Sequence, residues 1–180
     1  MFDRENATMA FGGSCACGKI TYVATATPRD TTICNCITCR KLSGGAFQAY
    51  THVPAEKITY FCEREPTKLW RSAPDGEKDN NSDSAGIGLV VLRLSNIGER
   101  AYCKHCHTPL AMVYLKETDT IAVAVGSVDE ETVTDVDVRE ALKPVALIFL
   151  SQKVWWCEVR DQGMRRLDRF STGFEEMLNA

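Results

Sequence analysis

Nine cysteines dominate the chemistry open to this chain of 180 residues, and seven of them fall into short clusters. Cys15 and Cys17 form a C-x-C pair, Cys34, Cys36 and Cys39 a C-x-C-x-x-C cluster, and Cys103 and Cys106 a C-x-x-C pair. Cys62 and Cys157 stand alone. An odd total argues against a complete disulfide framework. Residues two apart also rarely meet disulfide geometry. The spacing suits metal ligation instead, because zinc takes soft thiolates and its structural sites close around four of them. Cys15 and Cys17 with Cys103 and Cys106 supply such a set, one pair from each of two turns. A zinc ion there would tie an N-terminal strand to a distant hairpin. Gly12, Gly13 and Gly18 around the first pair suit a tight turn.

The cluster Cys34, Cys36, Cys39 differs, since it offers three thiolates and no neighbouring fourth cysteine. Three protein ligands with an open position are the pattern of catalytic zinc. An open zinc binds a substrate thiolate or polarises a carbonyl oxygen. The alternative is a second closed site, with Cys62, Cys157, His52 or His105 as fourth ligand. Arg40 and Lys41 follow at once. Two cations beside an open metal suit an anionic substrate, and they equally suit a solvated surface or an offset to thiolate charge. Gly44 and Gly45 permit close backbone approach or a plain turn.

The elements that must hold these residues read as mostly β. Segments 19–26, 47–53, 58–61, 68–72, 88–94, 110–115, 120–125, 145–150 and 154–159 are rich in β-branched and aromatic residues with partial alternation. Turn signals such as Pro54, Pro74-Asp75-Gly76 and Gly98-Glu99 separate them. A short helix is expected after Cys36 and a last one over 174–179. Residues 74–84 are polar and nearly devoid of apolar side chains. They predict an exposed loop (74–86) within one domain, because cysteine pairs lie on both sides of it. Trp70, Trp155 and Trp156 read as core in strands more than as pocket wall.

A hydrophobic fraction of 44% is enough for an ordinary core. The formal net charge of -3 gives no electrostatic case for nucleic acid or for an anionic membrane surface. The longest apolar run, 145–150, is far short of a membrane span. The first ten residues carry Asp3, Arg4 and Glu5 and lack the apolar stretch of a signal peptide. The expectation is a cytoplasmic protein whose thiols stay reduced.

Three stretches carry a specific resemblance. Gly13-Ser14-Cys15-Ala16-Cys17-Gly18, then Cys34-Asn35-Cys36-Ile37-Thr38-Cys39-Arg40-Lys41, then Tyr102-Cys103-Lys104-His105-Cys106 resemble the glutathione-dependent formaldehyde-activating enzyme family, which includes centromere protein V. The resemblance runs over roughly residues 10–160. Gly126-Ser127-Val128-Asp129 and Trp155-Trp156-Cys157-Glu158-Val159 also look like family features. It implies a β-tent fold of small antiparallel sheets, with an arm at 1–10 and one zinc-binding domain at 11–180. It implies the same division of zinc sites that spacing suggests: Cys15, Cys17, Cys103 and Cys106 structural, and Cys34, Cys36 and Cys39 catalytic. Two zinc ions per chain follow, the second held less tightly for want of a ligand.

The implied activity is that of a carbon–sulfur lyase, adding glutathione to formaldehyde or a related small aldehyde. Arg40 and Lys41 would meet the carboxylates of glutathione. Three features depart from the family. His107 stands where glycine usually follows the last cysteine pair, Ala146 aligns with a common histidine, and residues 74–84 look inserted. The rival reading is a zinc-stabilised module that binds a protein partner or the adduct without catalysis, its second site closed or empty. Centromere protein V is the analogue, but this chain has no long basic tail. An iron–sulfur cluster suits cysteines divided four and three less well.

Overall fold

The computed structural model describes residues 8–67, 69, 88–160, 163–170 and 174. Strands flank each cysteine turn. β1 (Phe11–Ser14) and β2 (Ile20–Ala24) bracket Cys15 and Cys17, and β3 (Arg29–Cys34) delivers Cys34 to the start of α1 (Ile37–Ser43). β4 (Gln48–Pro54), β5 (Ile58–Cys62), β6 (Glu65–Thr67) and β7 (Leu89–Leu92) follow. β8 (Gly98–Cys103) and β9 (Pro109–Tyr114) bracket the second cysteine pair. β10 (Glu117–Ala124), α2 (Val136–Ala141), β11 (Ala146–Ile148) and β12 (Arg165–Arg166) complete the described elements. The chain is thus mainly β with few helices. No helix of the described residues is long and apolar enough to cross a membrane.

The strands form two sheets. One is four-stranded and antiparallel, in the order β1-β2-β5-β6. The other is eight-stranded, in the order β12-β11-β3-β4-β10-β9-β8-β7. It is mixed rather than wholly antiparallel, because β11 runs parallel to both β3 and β12. Successive side chains of a strand point to opposite faces, so the large sheet has two different surfaces. On one, Val53, Ala101, Cys103, Ala111, Ile121 and Val123 pack with Phe11, Ile20, Tyr22, Ile58 and Tyr60 of the small sheet. Burying each large side chain of that set contributes roughly 1.5–3 kcal/mol. On the other surface Cys34, Tyr50, Met112, Ala122, Ala124, Ala146 and Ile148 form a separate cluster.

The segment 126–129 braces β1. Gly13 bridges Val128, the Ser14 hydroxyl donates to Asp129 Oδ1 at 2.8 Å, and the Asp129 N–H donates to the Gly12 carbonyl at 3.1 Å. Gly13 itself is required by close approach: a Cβ there would lie 2.2 Å from both the Ser127 carbonyl and the Tyr22 hydroxyl. Gly12 and Gly13 therefore belong to β1, and of the three glycines near the first pair only Gly18, at φ +72°, makes the turn.

Segments 19–26, 47–53, 58–61, 88–94, 110–115, 120–125 and 145–150 each overlap an observed strand. Segment 154–159 does not: Val154 is buried, but the chain then turns, leaving Trp155 91% and Trp156 58% exposed. Neither tryptophan is core, because the residues after Val154 pair with no strand among the described residues and so have no sheet to pack on. Residues 74–86, Trp70, most of 68–72 and the last helix beyond Phe174 lie outside the described residues.

His107 occupies the left-handed region at φ +57°, in the turn between β8 and β9. A β-carbon there costs about 1–2 kcal/mol, which explains why glycine suits the position. Glycine would return roughly 0.4–1 kcal/mol of that through the entropy of the unfolded chain. His107→Gly is therefore expected to raise the urea midpoint of metal-loaded protein, by about 0.5–1 kcal/mol of stability. A lower midpoint would contradict the strain at this turn.

Candidate functional site

Two turns build the first sulphur cluster. In the β1–β2 turn the Gly18 N–H donates to the Cys15 carbonyl at 2.8 Å, and the Ile20 N–H donates to Cys15 Sγ at 3.2 Å. In the β8–β9 turn the His107 N–H donates to the Cys103 carbonyl at 3.0 Å. Thr108 joins the two turns. Its Oγ1 accepts the Ala16 N–H at 3.0 Å and lies 3.2 Å from Cys106 Sγ. The result brings Cys15, Cys17, Cys103 and Cys106 together, with all four sulphurs within 4.8 Å of one another. Cys15 Sγ is 3.5 Å from Cys17 Sγ, which is 3.8 Å from Cys103 Sγ. A tetrahedral zinc ion about 2.3 Å from each thiolate would set these separations near ~3.8 Å. The donor set fits a metal ion of that kind.

The Lys19 N–H favours the charged form of Cys17, but desolvation and the thiols of Cys15 and Cys106 outweigh it and push Cys17 up. Desolvation likewise pushes Cys103 up to about 12, against the N–H groups of Cys106 and His105. Desolvation opposes ionisation of Cys106, but hydrogen bonds from Thr108 and the Cys17 backbone outweigh it and bring the thiol down to about 5.

The second cluster is built where β3 meets α1. Cys34 ends the strand, Cys36 is the N-cap of α1, and Cys39 is buried in the first turn. Cys36 Sγ accepts the Cys39 N–H at 3.4 Å, so the C-x-x-C spacing is that of a helix cap to its own third residue. Asn35 locks the loop: it is buried, and its N–H and its Nδ2 each donate to the Ile148 carbonyl at 3.0 Å. Gln152 Oε1 accepts the Ile37 N–H at 2.8 Å. The three sulphurs lie within 4.8 Å of one another, and among the described residues no further Cys, His, Asp or Glu joins the group. Hydrogen bonds from the Cys34 and Cys39 thiols, aided by the charge of Arg100, bring the Cys36 thiol down to about 2 against the cost of burial. The same coupling drives Cys34 up. The set can hold a metal ion.

A cavity of about 490 Å³ opens over these thiols on the outer face of the large sheet. Its room comes from small side chains, with Ala122 and Ala146 in its lining at mid-sheet. Ala146 stands where the family resemblance leads one to expect histidine, so that departure falls inside the cavity. Tyr50 and Tyr114 line it, and burial pushes both phenols above their ordinary range, so both keep their protons. His52 also lines it, and burial lowers its pKa; its Nδ1 sits 3.2 Å from the Asp30 carbonyl oxygen. Arg100, on β8, is 5% exposed, and its charge acts on Cys36 and Cys39. Its Nε and Nη1 have no partner among the described residues.

The remaining sites named from sequence fall elsewhere. Arg40 is half-buried on α1 with its Nε donating to the Asn35 carbonyl at 3.1 Å, Lys41 is exposed, and neither lines the cavity. Cys62 is buried in the core between the sheets, His105 is exposed on its turn, and Cys157 is half-buried. Arg100 was not foreseen. The only signal was a charged residue three positions before Cys103 in a strand whose alternation turns Ala101 and Cys103 inward.

Residues 10–83, less than half of the chain, match a family model described as glutathione-dependent formaldehyde-activating enzyme, which bears out the resemblance over that stretch. The matched residues include Cys15, Cys17, Cys34, Cys36 and Cys39 and end before Cys103. No curated protein matches the chain. It is similar to a crystal structure of a Rhodobacter sphaeroides protein, a Northeast Structural Genomics target, with a TM-score of 0.43 and 11% identity over 87% of this chain and 98% of that one. That likeness is too weak to bear on function.

Removing a single sulphur from each cluster separates their roles. Cys103→Ser takes a ligand from the cluster that joins the sheets, so it is expected to lower the melting temperature severely and reduce bound metal, because metal binding there is folding free energy. Cys36→Ser is expected to leave the melt nearly unchanged and to lose only the metal of the second cluster. Thermal melts with elemental analysis check both. Equal and severe destabilisation would contradict the division.

Proposed function

We propose that this chain is a zinc-dependent carbon–sulfur lyase-type enzyme that adds glutathione to formaldehyde or a related small aldehyde. One observation carries the reading: three clustered thiols, without a fourth metal-binding side chain among the described residues, face a cavity large enough for a substrate. The family match over residues 10–83 supports the same chemistry. In this reading residues 11–180 form one domain of the β-tent type, at work in the reducing cytoplasm.

Cys15, Cys17, Cys103 and Cys106 would hold a structural zinc ion, and Cys34, Cys36 and Cys39 a catalytic one. Bound there, zinc supplies Lewis acidity and lowers the pKa of a nearby thiol. The rest falls to the chain's own groups. Addition forms one carbon–sulphur bond, and the thiol proton ends on the former carbonyl oxygen. Tyr50 lines the cavity and keeps its proton, and in this reading it donates its O–H to that oxygen. Arg40 and Lys41 act on the approach of an anionic thiol through their charge, as neither reaches the cavity lining.

A second reading, a zinc-stabilised interaction or adduct-binding module without catalysis, draws on the exposed pair Trp155 and Trp156, an apolar surface that a partner could cover.

Calorimetric titration tests the enzyme reading. Glutathione is expected to bind zinc-loaded protein about tenfold more tightly than S-methylglutathione, whose sulphur cannot ionise. Exchanging Arg40 and Lys41 for alanine should weaken both ligands, and more so at low salt, because exposed charges are screened. Absence of glutathione binding at millimolar concentration, with the second zinc demonstrably present, would contradict the assignment and favour the module.

A further inference from the structure

The proposed reading leaves half of the cavity unexplained. Formaldehyde has two heavy atoms, whereas about 490 Å³ is many times the ~30 Å³ share of a single water molecule. Size would admit glutathione, and the lining is mixed, with Arg29, Asp30, His52, Glu117 and Arg165 among its polar groups. One side carries an aromatic wall, in which Phe170 meets Phe149 edge-on at 4.8 Å between centroids and Phe174 at 5.0 Å, and Phe174 meets Tyr114 at 4.7 Å.

Phe149 sits at φ +56°, ψ +44°, a left-handed conformation rare for a bulky residue. Strain of this kind clusters where a side chain must be aimed. Here it follows β11 directly and directs a ring into the wall instead of continuing the strand.

Beside the wall, the Arg100 guanidinium is nine-tenths buried, lines the cavity, and has two N–H groups without a partner among the described residues. Buried donors left unpaired are costly, and a charged one more so, unless a ligand meets them. Arg100 and Tyr114 are also close: Arg100 pairs with Met112 across β8 and β9, and Gly98 with Tyr114, so the two side chains are diagonal neighbours on one face.

We propose, resting on the reading of this cavity as the substrate site, that it takes a small organic acid with an aromatic body. Its carboxylate is held by Arg100 and its ring lies against Tyr114, Phe149, Phe170 and Phe174. The substrate class is thus an aromatic or similarly apolar carboxylate beside the thiols, and not formaldehyde alone. Arg100 acts as a specificity residue, apart from the effect of its charge on Cys36 and Cys39.

The probes are 3-phenylpropionate, its neutral analogue 3-phenylpropanol, and acetate, titrated by calorimetry into the protein as isolated, with metal content measured on every sample. The acid should bind about tenfold more tightly than either comparison compound, the gain expected of a hydrogen bond to a charged group. Arg100→Met should remove that advantage and leave the alcohol unchanged, Arg100→Lys should restore part of it, and Phe170→Ala should weaken acid and alcohol alike. Equal affinity for acid and alcohol in the wild type overturns the proposal without any variant. So does an Arg100→Met protein that loses metal but keeps its preference for the acid, since Arg100 would then be only a counter-charge to the thiolates. Binding of the phenyl acid without binding of glutathione overturns the proposed function alone, and the reverse overturns this inference alone.

Discussion

Four sulphurs drawn from two turns meet where the two sheets are joined. Cys15 and Cys17 sit between β1 and β2 of the small sheet, and Cys103 and Cys106 between β8 and β9 of the large one. The Cys17 and Cys103 sulphurs are 3.8 Å apart across 86 residues of chain. Thiolates so close repel unless a cation lies among them. With a cation present they become a cross-link of the kind that closes a long loop, where loop-closure entropy is greatest. Thr108, bonded to the Ala16 backbone and beside Cys106, seals the same junction.

From that junction the two faces of the large sheet acquire separate duties. In β8, Ala101 and Cys103 turn towards the small sheet, while Arg100 turns to the cavity. In β4, Val53 is core and Tyr50 and His52 line the cavity. In β10, Ile121 and Val123 are core and Ala122 leaves room on the far side. A register slip of one residue in any of these strands would exchange core for cavity. The packed inner face therefore specifies where the cavity groups stand, and the three-thiol cluster adds the reactive centre at the point where β3 passes into α1.

Much of this was legible in the residues. The grouping of cysteines into four and three is visible because ligands two or three apart on a turn are local geometry, and the observed clusters follow it. Strands rich in β-branched residues, such as β2, β5 and β10, were equally visible. β1 (Phe-Gly-Gly-Ser), β3 with Arg29 and Asp30, and β8 with Glu99 and Arg100 were not. Their composition is a poor strand signal, and pairing with neighbours imposes the conformation. Trp155 and Trp156 misled for the opposite reason, since strand-like composition at 154–159 meets no partner strand. Arg100 could not be found from spacing, because its place beside Cys39 depends on the register of β8 against β9 and on β3 lying three strands further along. Arg40 and Lys41 were conspicuous by adjacency in sequence, but the first turn of α1 points Cys39 inward and leaves them outside the cavity lining.

A closed four-thiolate centre and an open three-thiolate centre in one chain can be told apart by X-ray absorption at the zinc edge, on protein loaded with two equivalents of the metal. The expected result is an average of about 3.5 sulphur neighbours and about 0.5 lighter neighbours per zinc, with zinc–sulphur distances near ~2.3 Å. After selective depletion of the weaker site the average should rise to about four sulphurs with no lighter neighbour. About four sulphurs per zinc at full loading would contradict the open position, because it requires a fourth cysteine at the Cys34, Cys36, Cys39 cluster.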